Sequence, residues 1–159
     1  ERDAMTGRVY TVVIEGTASP AAAFDFFEFN AAAEKPIRIR RIRIAQTSEP
    51  TTEEEQLSLS VIRAHSTSGS GGSAPTPRPV ALADSAAGFG CEVMNTTVAT
   101  GGTPLTLMTD AWNTRAGYDM AFAPEECIES VNGTRLVVTS GAPADAVTIR
   151  ATAWIEELG

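Results

Sequence analysis

Lysine is almost absent from this chain. Lys35 is the only one among twelve basic residues, and the rest are arginines. Histidine is equally scarce, with His65 alone. A histidine-based metal site needs more ligands of that kind, and a serine–histidine–carboxylate triad would have to use this one residue. Ser66, Ser68 and Asp84 are available by type, but no GxSxG elbow presents a nucleophile. Cysteine is limited to Cys91 and Cys127, and neither sits in a CxxC pair or a Cys/His cluster. Two buried free thiols are the preferred reading, and one disulfide stays open. There is no apolar run of ~18 residues to cross a membrane as a helix. There is also no GxxxxGK[ST] phosphate loop and no DxDxDG calcium loop. The first residues, ERDAMTGRVY, contain no signal-peptide core. Met5 as an alternative start, or Glu1 as a processed end, are both compatible with them.

Negative charge is abundant. The net charge of −8 disfavours nucleic acid and anionic membranes as partners, because both would repel the chain. Arginine in place of lysine suits planar pairing with carboxylates, as at contacts between subunits. With 159 residues and 43% hydrophobic content, the chain is long enough to bury a core. We read residues 1–159 as one domain with a short N-terminal arm over 1–7.

Strand patterns dominate. Arg8 to Gly16 alternates, with Tyr10, Val12 and Ile14 on the more apolar face. Ala23 to Asn30 carries four phenylalanines whose parity changes in mid-strand, which calls for a bulge or a fully buried centre. Further strands are expected over Val80 to Leu82, Phe89 to Thr97, Leu105 to Trp112, Tyr118 to Phe122, Thr134 to Thr139 and Ala146 to Glu156. With turn signals between them and no long helical pattern, the chain predicts an all-β antiparallel sandwich. We expect it to be jelly-roll-like, with about eight to ten strands.

The stretch from Lys35 to Pro79 concentrates the unusual features. Ile37 and Ile39 share one parity, while Ile42 and Ile44 share the other. One extra residue at Arg40 or Arg41 would restore a single apolar face, as a β-bulge does. Arg38, Arg40, Arg41 and Arg43 would then line the opposite face. A second strand, Gln56 to His65, follows. If the two strands form a hairpin, the arginine row can oppose Glu53, Glu54 and Glu55 across it. Residues 66–79, STSGSGGSAPTPRP, read as a long loop, flexible in its Gly/Ser half and stiff in its Pro half. A loop of this length is usually functional or disordered. We therefore take Arg38, Arg40, Arg41, Arg43, Glu53, Glu54, Glu55, Ser70, Pro75, Pro77 and Arg78 as candidate inter-subunit contacts.

Other constellations are weaker. Asp110 with Asp119, or Glu125 with Glu126, could pair as acid and base, but an acidic chain produces such pairs by chance. Trp112, Tyr118 and Trp154 could stack on a sugar, although core packing is the ordinary use of such residues. No catalytic, cofactor or metal residue is assigned.

The runs KPIRIRRIRIAQTSE, EEEQLSLSVIRAHSTSGSGGSAPTPRP and DSAAGFGCEVMNTT resemble small proteins encoded by tailed phages and prophages. The likeness covers Ala21 to Thr97, and the closing APADAVTIRATAWIEE more loosely. It implies a non-enzymatic virion component made in the host cytoplasm. Size and fold point further to a capsid decoration or cement protein on the outer capsid surface. Its partners would be the major capsid protein and further copies of itself, with a trimer favoured, and no cofactor. A receptor- or carbohydrate-binding module of a fibre or tail tip, or another head or tail component, is the alternative. The resemblance assigns no site residues.

Overall fold

The computed structural model describes residues 7–18, 22–48 and 55–159. Among them are eleven strands and one short 3-10 turn, Pro124–Glu126. The strands are β1 Arg8–Ala18, β2 Phe24–Asn30, β3 Ile37–Gln46, β4 Gln56–His65, β5 Arg78–Pro79 and β6 Gly90–Asn95. They continue with β7 Leu105–Asn113, β8 Tyr118–Ala121, β9 Glu129–Ser130, β10 Arg135–Ser140 and β11 Val147–Glu157. Sheet I runs β5-β1-β11-β3-β8, with β9 also on β3, and sheet II runs β6-β2-β10-β4-β7.

Without the short β5 and β9 and the edge strand β6, eight strands remain. They pair antiparallel as β1 with β11, β2 with β10, β3 with β8, and β4 with β7. First meets last, second meets second-last, and successive pairs alternate between the sheets. This is a long hairpin rolled into two Greek keys, the jelly-roll order expected from the turn spacing.

Two bulges keep the apolar residues inside. Opposite β11, Trp154 faces Arg41 while Ile155 faces Ile39, so Arg40 is the extra residue in β3. Ile37, Ile39, Ile42 and Ile44 are consequently all buried, as the parity slip predicts. In β2, Val138 faces Phe27 and Thr139 faces Asp25, so Phe26 is the extra residue. Phe24, Phe26, Phe27 and Phe29 all join the core, where Phe26 meets Trp112 edge-on at 5.4 Å. Asp25 and Glu28 are left on the other face of the sheet, where both are also buried.

The hairpin expectation is wrong. β3 lies in sheet I and β4 in sheet II, so the arginine row cannot face Glu53, Glu54 and Glu55 across a shared ladder. In a jelly roll, consecutive strands cross between sheets, and local sequence carries no signal of that. Glu53 and Glu54 lie outside the described residues. The strand expected over Val80 to Leu82 falls earlier, at Arg78–Pro79, and Val80 and Leu82 are exposed.

Two connections cover the buried carboxylates. The segment after β4 and the segment after β6 bridge one another at Thr67–Thr100 and Ser70–Thr97, and Ser73 pairs with Val93. Gly69 N donates to Glu28 at 2.8 Å, and Ala99 N donates to Asp25 at 2.8 Å. The Gly/Ser run is therefore a strap held against the sheet. Its glycines allow the approach: a Cβ on Gly69 would stand 2.3 Å from the Thr97 carbonyl oxygen, and one on Gly72 would stand 2.0 Å from that of Val93.

Gly72→Ala is therefore expected to lower the stability by about 2 kcal/mol or more, because backbone must move to admit the methyl group. Gly90→Ala, with nothing near its added Cβ, is expected to stay within about 0.5 kcal/mol of the parent. Urea denaturation of the two variants checks this.

Burial raises the pKa of both Asp25 and Glu28 above the ordinary carboxylate value, despite the hydrogen bonds that pull the other way. Their folded forms hold the proton more tightly than the unfolded chain does. Their contribution to stability therefore grows as pH falls through the raised folded values and is complete below the ordinary carboxylate values. Glu92 and Asp119 are lowered, by hydrogen bonds from Asn95 and Arg41 respectively. Their contribution is present above the ordinary values and is lost only below them. Thermal denaturation against pH is expected to show a maximum on the acid side of neutrality. Asp25→Asn keeps the acceptor for Ala99 N, removes the titration and flattens the neutral-to-acid slope.

Candidate functional site

Strand alternation sorts sheet I into two faces. Tyr10, Val12 and Ile14 of β1 point into the core, so Thr11, Val13 and Glu15 face out. On β11, Arg150, Thr152 and Trp154 face out between buried Ile149, Ala151, Ala153 and Ile155. On β3 the outward set is Arg38, Arg40, Arg41, Arg43 and Ala45. Arg78 pairs beside Thr11 on β5. Six arginines thus share one sheet face with Glu15, Asp119 and Glu156. In a chain of net charge −8, this face is the exception.

Three of the six are engaged within the chain. Glu156 is nearly buried and takes Arg40 at 3.2 Å and Arg38 at 3.6 Å, while its other oxygen accepts from Gly7 N at 2.9 Å. Arg41 donates twice to Asp119, at 2.9 and 2.6 Å, and its guanidinium lies 5.1 Å from the centre of the Trp154 ring. That fork raises the arginine pKa and lowers the aspartate pKa. Arg43, Arg78 and Arg150 are exposed and have no carboxylate within ion-pair distance among the described residues. Arg43 and Arg150 flank a shallow basin of about 340 Å³, with Val13, Ala45 and Thr152 on its floor and Glu15 at one side.

Five of the six arginines, Arg38, Arg40, Arg41, Arg43 and Arg78, are sequence-predicted contacts. The sixth, Arg150, is single in its strand pattern and is placed here only by the pairing of β11 with β3. Of the remaining predicted residues, Glu55 is turned inward to its own chain, accepting from Ala144 N at 2.6 Å. Ser70 is exposed on the strap, where its backbone pairs with Thr97. Pro75 and Pro77 are half-buried, and the Pro75 carbonyl accepts from Cys91 Sγ at 3.2 Å.

Elsewhere the chemistry is structural. Cys91 and Cys127 are both free thiols, and burial pushes the Cys91 pKa up to about 11, away from thiolate reactivity. His65 Nδ1 is buried and has no hydrogen-bond partner. Trp112 is in the core with its indole N–H on Ser140 Oγ at 3.0 Å, and Tyr118 donates to Asp110 at 2.9 Å. These two and Trp154 therefore form no shared platform. A second hollow of about 270 Å³ lies at Glu28, Ser68, Glu92 and Arg135. Ser68 Oγ lies within hydrogen-bond reach of both carboxylates; burial raises the Glu28 pKa, while the hydrogen bond from Asn95 lowers that of Glu92. No group of three or more metal-ligating side chains occurs among the described residues.

No protein-family model matches the chain. No curated protein matches it either. Among solved structures, VP17, a capsid protein of bacteriophage P23-77, aligns over 97% of this chain and 99% of its own at 14% identity. The TM-score of that superposition is 0.15, which does not support a shared fold.

The tied and free arginines are expected to respond differently to truncation. Asp119→Ala breaks an exposed pair and is expected to cost under about 1 kcal/mol. Glu156→Ala strands two guanidinium groups and the Gly7 amide, and is expected to cost about 1–3 kcal/mol. Arg43→Ala and Arg150→Ala are expected to lie within about 0.5 kcal/mol of the parent. Chemical denaturation of the four variants measures the order.

Proposed function

We propose that the chain is a non-enzymatic structural protein of a phage virion, of the capsid decoration or cement type. In this reading it sits on the outer capsid surface, with the major capsid protein and its own copies as partners. It strengthens the shell by bridging neighbouring subunits and needs no cofactor. The observation that carries the proposal is the outer face of sheet I. Six arginines on a broad β-surface, in an otherwise acidic protein, suit contact with carboxylates of another chain. The jelly roll supports it as a rigid scaffold whose strap is tied down. The resemblance of residues 21–97 to small phage-encoded proteins points the same way.

Purified protein added to capsids assembled without it is expected to bind, and to raise the temperature at which they rupture. Binding should weaken as salt rises, because exposed charges are screened over about 10 Å at moderate ionic strength. Absence of binding at low salt, with the chain folded by circular dichroism, overturns the proposal.

A further inference from the structure

The basin between Arg43 and Arg150 has a counterpart on the same molecule. The turn Pro124–Glu126 leads into β9 at the far edge of sheet I. Glu125, Glu126 and Glu129 are all exposed there. None of the three makes an ion pair with another described residue; Arg63 reaches only the backbone carbonyl of Glu129. The turn itself is anchored. Ile128 is buried, and its carbonyl accepts from Ile39 N at 2.9 Å. The acidic side chains are therefore presented from fixed backbone. The basin is fixed too: Arg43 and Arg150 stand on the paired strands β3 and β11, with the exposed Val13 beside them on β1.

We infer that the acidic turn of one copy docks in the arginine basin of the next. This rests on the proposed assembly role and names the contact that would build it. The basin lies across β1, β11 and β3, whereas the turn joins β8 to β9 along the outer edge of β3. One molecule therefore offers both halves at different places, and the contact is head-to-tail. Such a contact closes into a ring when the rotation permits. Charge complementarity selects a second copy as the occupant. The basin holds two guanidinium groups outside ion-pair distance of any described carboxylate, with Glu15 opposite Arg150 and Asp119, already forked to Arg41, opposite Arg43. The turn brings Glu125 and Glu126 with no ion pair of their own among the described residues, beside Glu129 opposite Arg38. Val13, 52% exposed at the basin floor, supplies apolar area that such a contact would cover. The sequence reading paired the arginines with Glu53, Glu54 and Glu55. The structure instead leaves Glu125, Glu126 and Glu129 as the unpaired acidic set at a fixed turn.

Sedimentation velocity at low salt tests the inference on the whole chain. The parent is expected to self-associate and to dissociate as salt rises. Arg150→Glu alone, and Glu125→Lys with Glu126→Lys, are each expected to weaken association by about tenfold or more, with circular dichroism unchanged. A one-to-one mixture of the two variants is expected to regain association, because the reversed turn of one then meets the reversed basin of the other. A monomeric parent overturns the inference, and so does association that neither variant disturbs, or a mixture that stays dissociated. If the parent is monomeric yet binds capsids, and Arg150→Glu abolishes that binding, the basin belongs to the capsid protein. The self-contact is then refuted while the virion role stands.

Discussion

A single extra residue in β3 governs the architecture of sheet I. Were Arg40 paired as a regular strand residue, the isoleucines before and after it would point to opposite faces, and half of them would meet water; the bulge takes it out of register. With it, Ile37, Ile39, Ile42 and Ile44 all enter the core. Each buried side chain of that size contributes roughly 1.5–3 kcal/mol relative to exposure, so the alternative register is not competitive. The same step gathers Arg38, Arg40, Arg41 and Arg43 on the outer face, where crowding of like charge has to be relieved. Glu156 and Asp119 relieve it for three of them. What is left over, Arg43 with Arg150 beside it, is exposed cation outside ion-pair distance of any described carboxylate.

Sheet II meets the same problem with a second bulge and resolves it differently. Phe26 is the extra residue, and the polar remainder is Asp25 and Glu28. These carboxylates are not left in water. The strap and the connection after β6 fold over them and donate backbone N–H groups. Buried carboxylates are costly unless they accept such bonds, and these add to the backbone pairing of the strap with β6 and the segment after it. Gly69 and Gly72 are small because the backbone passes so close. Sheet I thus keeps its polar face open and charged, while sheet II covers the part of its outer face that holds Asp25 and Glu28 and leaves β7 exposed.

The division bears on function. The sandwich is directional in charge: sheet I presents an exposed cationic face, and sheet II is covered only over its buried carboxylates. Asp25 and Glu28 hold the strap, and Glu156 and Asp119 pair three of the arginines. The thiols are free, and Cys91 is shielded from ionisation. The molecule's distinctive chemistry is the placement of charge on its surface.

Much of this was legible in the residues. Alternation identified most of the strands, the parity slip located the bulge at Arg40 or Arg41, and turn spacing pointed to a jelly roll. These signals are local, since period-two burial and a one-residue insertion are written within a single strand. Strand partners are not local. The hairpin between β3 and β4 was a reasonable expectation from adjacency and is absent, because a rolled hairpin sends consecutive strands to opposite sheets. For the same reason Arg150 joined the arginine face unannounced, since it lies more than a hundred positions from Arg43 and meets it only through β11. The ordering of the Gly/Ser strap was also hidden, because its anchors are carboxylates on a distant strand. The sequence by itself determined which residues must be buried, and so where each strand bends. Only the tertiary structure decided which charges become neighbours, because pairing across a jelly roll joins segments that share no sequence pattern.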